Sequence, residues 1–212
     1  IAEDKTFDVQ VLPSWRPDKA MNLEKVTYLD YIAQLSEVSG VKINTFADLC
    51  KALTVRMDYF GSLGCRVSDH GLEYVMYAPA SAEEIESIFA KRIKGDTVTR
   101  EEEIKFKTAF MIFVGKEYAK RDWVLQLHYG CKRDNNTAMF DKLGPDTGYD
   151  CINNYAPSSD LADYLNALRI NDSLPKTIIY SLNPNDNQAI GTILGCFQDS
   201  SCIGKIQQGS AW

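Results

Sequence analysis

The sequence predicts an α/β fold with a parallel sheet, and two observations support this prediction. Short apolar runs of strand length alternate with helical segments in the order β-α-α-β-α-α-β-α-β-α-β, which implies parallel strands joined by right-handed crossovers. Several of these runs end in polar loops, as strands do in parallel sheets that bind ligands at their carboxyl ends. The predicted strands fit either an open doubly wound sheet or more than half of an eight-stranded barrel.

Composition excludes several classes of partner. The chain has 212 residues, 45% of them apolar, and a net charge of -6, so it can bury a sizeable core and is not expected to bind nucleic acid. Basic residues form no dense tract, and no apolar run approaches the ~18 residues of a membrane span, so no membrane partner is expected. The six cysteines show no CxxC pair and no metal-ligand spacing, which favours reduced thiols and a cytoplasmic location.

The first predicted strand, residues 7–12, is β-prone and ends at Pro13, which cannot continue a ladder. In the loop that follows, Pro17 restrains the backbone of Arg16 to extended geometry. The Arg16 guanidinium could bind a carboxylate with two hydrogen bonds, or it could form a local surface pair with Asp18. The sequence leaves both interpretations open.

Two helices are predicted next, at 22–38 and 46–62. Gly40 is typical of a helix end, and Thr45 is the expected N-cap of the second helix. A second strand, 65–70, ends in an acidic residue and an imidazole. These residues, Asp69 and His70, could be a base with its orienting partner or a metal ligand with its neighbour. A histidine hydrogen-bonded for structural reasons is the alternative.

Two further helices begin with hydroxyl residues three positions before a glutamate, the spacing of a capping box. Ser81 opens a helix to about residue 91, and Thr99 opens a long one to about residue 120. The apolar strand that starts at Trp123 then ends in His128, the only other histidine of the chain, and leads into a cationic loop. Because both histidines follow predicted strands, a shared site at the strand ends is a working hypothesis.

The remaining elements repeat the alternation. A turn-rich loop covers 144–148, a helix 159–170 and a buried strand 175–182. Asn183 and Pro184 are typical of a helix start, and this helix is predicted to continue to about residue 197. A last strand is predicted at 204–209. The phosphate-binding patterns GxGxxG and GxxxxGK[ST] are both absent, so nothing favours nucleotide binding.

Taken in order, the motifs resemble the uronate (glucuronate) isomerases of the amidohydrolase superfamily, a group of metal-dependent (β/α)8 barrels. The motifs are SWRPDKA (14–20), VSDH (67–70), QLH (126–128) with RDNN (133–136), LGPDTG (143–148), LNP (182–184) with Asn187, and GSAW (209–212). The resemblance runs through essentially the whole chain. It implies a partial (β/α)8 TIM barrel with parallel strands, comprising about strands 3 to 7 and their helices.

The resemblance implies an aldose–ketose isomerisation, from D-glucuronate to D-fructuronate and from D-galacturonate to D-tagaturonate. A divalent metal, with zinc the expected ion, would help to polarise substrate oxygens. The residues that match the motifs are expected to be catalytic (His128, Arg133, Asp69, His70) or substrate-binding (Arg16, Trp212, Asn136). His128 is also the expected metal ligand in this chain.

The chain departs from the family pattern in two places. The His-x-His metal pair of the first strand and the aspartate after the eighth strand are absent from these residues. Residues 1–212 are therefore expected to be an internal portion of a single metal-dependent barrel domain. This fragment is expected to be inactive by itself and to hold no metal without the missing ligands.

Two other functions remain as alternatives. One is a metal-dependent hydrolase of the same superfamily, although the lysine that many binuclear members carry at the fourth strand is replaced by SDH at 68–70. The other is a non-catalytic module that binds sugar acids. The expected partner is a small-molecule uronate, and an incomplete barrel with two open strand edges is also expected to self-associate.

Overall fold

The computed structural model describes residues 4, 6 and 8–210, in which helices and strands alternate. In chain order the elements are α1 Asp18–Met21, α2 Tyr28–Ser39, α3 Phe46–Ser62, β1 Val67–Gly71, α4 Ala82–Ile93, α5 Arg100–Lys120, β2 Val124–Tyr129, β3 Cys131–Lys132, α6 Thr137–Leu143, β4 Cys151–Ile152, α7 Ser158–Arg169, β5 Thr177–Ser181, a 3-10 turn Pro184–Asp186, α8 Asn187–Cys196 and β6 Ile206–Gln208. Within the described ranges, none of the helices combines the length and apolar character needed to cross a bilayer.

The main sheet has the strand order β1-β2-β5-β6, and all three pairings are parallel. The α/β fold with parallel strands is therefore confirmed. Strands β3 and β4 were not predicted. They form a separate antiparallel pair of two residues each, which is too short to show an alternating apolar pattern in the sequence.

The strand predicted at 7–12 is wrong for its described part, residues 8–12, while Phe7 lies outside the described residues. Val9 is 75% exposed and Leu12 is 45% exposed, so the segment buries no apolar face. The chain instead meets the sheet at Trp15, whose amide donates to the Val67 carbonyl at 3.0 Å and whose carbonyl accepts from the Asp69 amide at 2.8 Å. This single parallel bridge at the edge of β1 directly precedes Arg16.

Most helix signals were read correctly because they depend on local chemistry. Thr45 and Thr99 each form a complete capping box. The threonine hydroxyl accepts a hydrogen bond from the amide of the third helical residue, and the carboxylate of that residue accepts one from the threonine amide. Gly40 ends α2 in the left-handed conformation, with φ of 68°. The helix predicted at 22–38 begins only at Tyr28, because 22–27 form turns after the short, unpredicted helix α1.

The sheet has one buried face and one partly exposed face. Along β2 the side chains alternate, with Leu125 and Leu127 fully buried against the helices and Gln126 and His128 on the opposite, partly exposed face. Helix α5 lies across the buried face and is enclosed on most of its circumference. Any ligand that the sheet binds must therefore approach the face that carries His128.

We predict that Thr99→Ala destabilises the protein by about 1 kcal/mol, because the Glu102 amide at the start of α5 loses the Thr99 hydroxyl as its acceptor. Thr192→Ala is the matched control, since Thr192 is exposed in α8 and its hydroxyl donates only to the Ala189 carbonyl of the same helix. Its effect should stay within about 0.5 kcal/mol. Denaturant unfolding of the intact protein measures both, and equal losses would contradict the importance of the cap.

Candidate functional site

The carboxyl ends of β1, β2 and β5 lie side by side. Gly71 pairs with His128, and His128 pairs with Tyr180, so these three positions are level across the sheet. Asp69, two residues before Gly71, lies on the same face as His128. Its Oδ1 is 3.3 Å from His128 Nε2. The structure thus brings Asp69 and His128 together at the strand ends.

Arg16 reaches this pair from the neighbouring loop. Its Nη1 donates to Asp69 Oδ2 at 3.0 Å, and its Nε donates to Asp18 Oδ2 at 3.1 Å, so the local pair with Asp18 is one of two contacts. The Arg16 side chain is 50% exposed. Gly71 makes this position accessible, because a Cβ at residue 71 would lie 2.2 Å from Arg16 Nη2.

His128 is held in place by stacking. Its ring lies 4.2 Å from the Tyr180 ring at an angle of 12°, and the Tyr180 ring in turn packs on the backbone of Gly209, where a Cβ would be 2.0 Å from Tyr180 Cε1. Partial burial lowers the pKa of His128, and the positive charge of Arg16 adds to this effect while Asp69 opposes it. The imidazole is therefore neutral at pH 7 and can accept a proton or a cation.

Arg133 lies near Arg16 on the other side of Gly71. Its Nη2 is 3.8 Å from the position a Cβ of Gly71 would occupy. The antiparallel pairing of β3 with β4 brings Arg133 close to two acidic residues, so that Nη1 contacts Asp146 and Asp150, each at 3.1 Å. The two arginines line a cleft of about 640 Å³, which extends from Gly71 towards the start of α5.

His70 does not join the group on the partly exposed face. Successive side chains in a strand point to opposite faces, so His70 faces the helices while Asp69 lies on the partly exposed face that carries His128. Its ring is fully buried, with Nδ1 2.8 Å from Asp18 Oδ1 and Nε2 2.9 Å from the Tyr118 hydroxyl. The expected catalytic contact of His70 with a substrate is not compatible with this placement. His70 instead matches the alternative interpretation, a histidine that is hydrogen-bonded for structural reasons.

The two remaining residues predicted to bind substrate are Asn136 and Trp212. Asn136 is the N-cap of α6, and its side-chain oxygen accepts from the Met139 amide at 3.2 Å. That bond gives Asn136 a structural role at the start of α6. Trp212 lies outside the described residues.

Sequence reasoning missed Tyr180 and gave Asp18 only a local role. Tyr180 could have been found from strand alternation, because it lies on the same face as His128 at the end of the next predicted strand. The contact between Asp18 and His70 joins residues 52 positions apart. Neither spacing nor periodicity predicts a contact of that kind.

The donor atoms of the described residues meet the needs of a metal ion only in part. Within the described ranges, no three His, Cys, Asp or Glu residues lie close enough together to hold a metal ion. Asp69 and His128 offer two donors, whereas structural or catalytic zinc takes three or four protein ligands. These residues alone therefore do not make a complete metal site.

Comparisons with known proteins identify relatives along the entire sequence. A model of the glucuronate isomerase family matches residues 1–212. Uronate isomerases from Lachnospira eligens and Lachnoclostridium phytofermentans are each 66% identical to this chain over 212 residues. The match covers 100% of this chain but 45% and 46% of those proteins, so the chain spans slightly under half the length of these curated relatives.

Solved structures agree with this similarity. The uronate isomerase of Thermotoga maritima superposes with a TM-score of 0.88 at 30% identity, covering 96% of this chain and 44% of that protein. The glucuronate isomerase of Caulobacter crescentus superposes with a TM-score of 0.84 at 23% identity, over 96% of this chain and 41% of its own. The second comparison supports the fold alone.

We predict that Gly71→Ala displaces Arg16 and destabilises the protein by about 1–3 kcal/mol, since the added methyl group overlaps the guanidinium. Gly191→Ala is the control, because Gly191 lies within α8 with open space around it, and alanine there should stabilise by up to about 1 kcal/mol. Denaturant unfolding and a crystal structure of each variant measure the two effects. An unchanged Arg16 in the Gly71→Ala structure would contradict the close approach.

Proposed function

We propose a function from one premise, namely that the chain belongs to the glucuronate isomerase family. The intact protein is proposed to be a uronate isomerase that interconverts D-glucuronate with D-fructuronate and D-galacturonate with D-tagaturonate. One observation carries this proposal at the level of residues. A guanidinium, a carboxylate and a neutral imidazole, from Arg16, Asp69 and His128, meet at the carboxyl ends of parallel strands.

The guanidinium groups of Arg16 and Arg133 account for recognition of an acid. A uronate carries its carboxylate at one end of a short sugar chain, and guanidinium binds carboxylates with two parallel hydrogen bonds. Both side chains face the cleft beside Gly71, and Arg16 is half exposed there. We assign the uronate carboxylate to Arg16, with Arg133 beside it as a second cation in the pocket.

His128 and Asp69 fit the proton transfer. In the aldose-to-ketose direction a proton leaves C2, a proton is added to C1, and a hydroxyl proton moves from O2 to O1. A neutral imidazole can accept the first proton, and the Asp69 carboxylate 3.3 Å away would stabilise the imidazolium that forms. Stacking on Tyr180 fixes the ring plane during this step.

A divalent metal, with zinc as the proposed ion, remains part of the proposal for the intact protein. His128 is its proposed ligand in this chain, and further ligands would have to come from beyond the described residues. A nitrogen that binds a metal cannot also accept a proton, so one nitrogen of His128 cannot fill both roles. The metal would polarise substrate oxygens, and in that case proton transfer would require another group.

We also propose that the parallel sheet is part of a (β/α)8 barrel and that residues 1–212 are one portion of a single barrel domain. The order β1-β2-β5-β6 with helices between the strands supports this, as does the superposition on a uronate isomerase at a TM-score of 0.88. A cytoplasmic location is proposed from cysteine usage alone.

We predict that the protein encoded by the full open reading frame isomerises D-glucuronate or D-galacturonate, and that residues 1–212 alone do not, even with added zinc. Removing metal from the full-length protein with a chelator should abolish turnover, and zinc should restore it. Assays of both proteins side by side measure this. Turnover by residues 1–212 alone would contradict the need for further ligands, and hydrolysis of a uronate derivative without isomerisation would favour a hydrolase.

We predict that Arg16→Gln in the full-length protein raises KM for the uronate by about tenfold or more, because a charge-assisted contact is lost. Arg169→Gln is the matched control, since Arg169 forms surface ion pairs with Asp172 and Asp199 at the end of α7. Steady-state kinetics measure both variants. Equal KM values for the two would exclude Arg16 as the carboxylate-binding residue.

A further inference from the structure

A row of three buried polar groups lies behind β1 and ends at Arg16. The Tyr118 hydroxyl contacts His70, His70 contacts Asp18, and Asp18 contacts Arg16. We propose that Tyr118, His70 and Asp18 act as positioning residues that fix the Arg16 guanidinium for substrate binding. The proposal rests on the proposed function in assigning the uronate carboxylate to Arg16. We call these three residues the buried relay.

Asp18 is the member of the buried relay that contacts Arg16. It is 8% exposed, and its two oxygens accept from three donors: His70 Nδ1 at 2.8 Å, the Gly71 amide at 2.9 Å and Arg16 Nε at 3.1 Å. Burial alone would favour the neutral acid, but the bond from His70 and the other donors outweigh it and lower the pKa of Asp18. The carboxylate is therefore ionised and held from three directions.

The ionised Asp18 determines the direction of the other bonds. A carboxylate only accepts hydrogen bonds, so His70 Nδ1 carries a proton and donates to Asp18. His70 Nε2 lies 2.9 Å from the Tyr118 hydroxyl. Burial raises the pKa of Tyr118, so its hydroxyl keeps its proton and remains a donor. The bonds that Asp18 accepts from His70, Gly71 and Arg16 are thereby assigned one direction.

Tyr118 connects the relay to the hydrophobic core. It is fully buried near the end of α5, and its ring stacks on Trp123 with the centroids 6.1 Å apart. Helix α5 also packs against β2. These contacts connect Arg16 to the core, although Arg16 itself is half exposed in a loop.

A positioning role explains the burial of the relay residues better than a purely structural role does. Buried charged and polar groups can often be replaced by apolar ones of similar volume without loss of stability. A second buried tyrosine, Tyr164, shows the simpler arrangement, in which a fully buried hydroxyl donates to one backbone carbonyl, that of Met111, at 3.2 Å. Unlike the Tyr164 hydroxyl, the relay from Tyr118 leads to Arg16, a residue of the cleft.

The test compares Tyr118→Phe with Tyr164→Phe in the full-length protein. Both changes remove one hydroxyl from a fully buried tyrosine, so both should lower the thermal midpoint to a similar extent. Tyr118→Phe should raise KM for the uronate by about fivefold while changing kcat less than about twofold, because binding is impaired more than the chemical step. Tyr164→Phe should leave both constants unchanged.

A double-mutant cycle with Arg16→Gln distinguishes action through Arg16 from a general loosening of the fold. If the relay acts through Arg16, Tyr118→Phe should raise KM by less than about twofold in the Arg16→Gln background. A full fivefold effect in both backgrounds would overturn the proposal. If Tyr118→Phe fails to fold, Asp18→Asn asks the same question, with the same cycle and the same expected result.

The proposed function can fail separately from the relay. If the wild-type protein turns over uronate but Tyr118→Phe has the KM of Tyr164→Phe, the relay is refuted and the isomerase function stands. If the wild-type protein has no isomerase activity, crystal structures of wild type and Tyr118→Phe still show whether the relay positions Arg16. A displaced Arg16 guanidinium in the variant supports positioning, whereas a guanidinium that keeps its contacts with Asp18 and Asp69 overturns it.

Discussion

The Asp69 carboxylate is the interaction on which the site depends. One of its oxygens accepts from Arg16 and the other lies 3.3 Å from His128, so a single side chain joins the edge loop to the second strand of the sheet. This is geometrically possible because β1 and β2 are parallel and in a register that sets Gly71 level with His128. The absence of a side chain at Gly71 then leaves the space that Arg16 occupies.

Adjacent residues of β1 have different tasks because strand side chains alternate. Asp69 lies on the partly exposed face, where it contacts Arg16 and His128, the groups proposed to bind and transform a uronate. His70 points into the core, where it links Tyr118 to Asp18. Both paths converge on Arg16, which contacts Asp69 on one side of the strand and Asp18 on the other. The position of one exposed guanidinium thus depends on two carboxylates of different burial.

The sequence predicted what local chemistry determines. The capping boxes at Thr45 and Thr99 and the parallel strands around His128 were predictable, because caps and apolar runs act over a few residues. The strand predicted at 7–12 is wrong over residues 8–12, because β-branched residues can also lie in an exposed segment. The contact with the sheet is made by Trp15 instead. The burial of His70 could not be predicted, since it depends on partners 52 and 48 positions away.

A crystal structure of the full-length protein with a bound uronate tests the central claim most directly. We expect the substrate carboxylate to bind the guanidinium of Arg16, with the Arg16 hydrogen bonds to Asp18 and Asp69 retained. We also expect the His128 imidazole within hydrogen-bond distance of the C1–C2 end of the sugar or bound to a metal there. A uronate whose carboxylate lies away from Arg16, or whose C1–C2 end lies away from His128, would contradict the account.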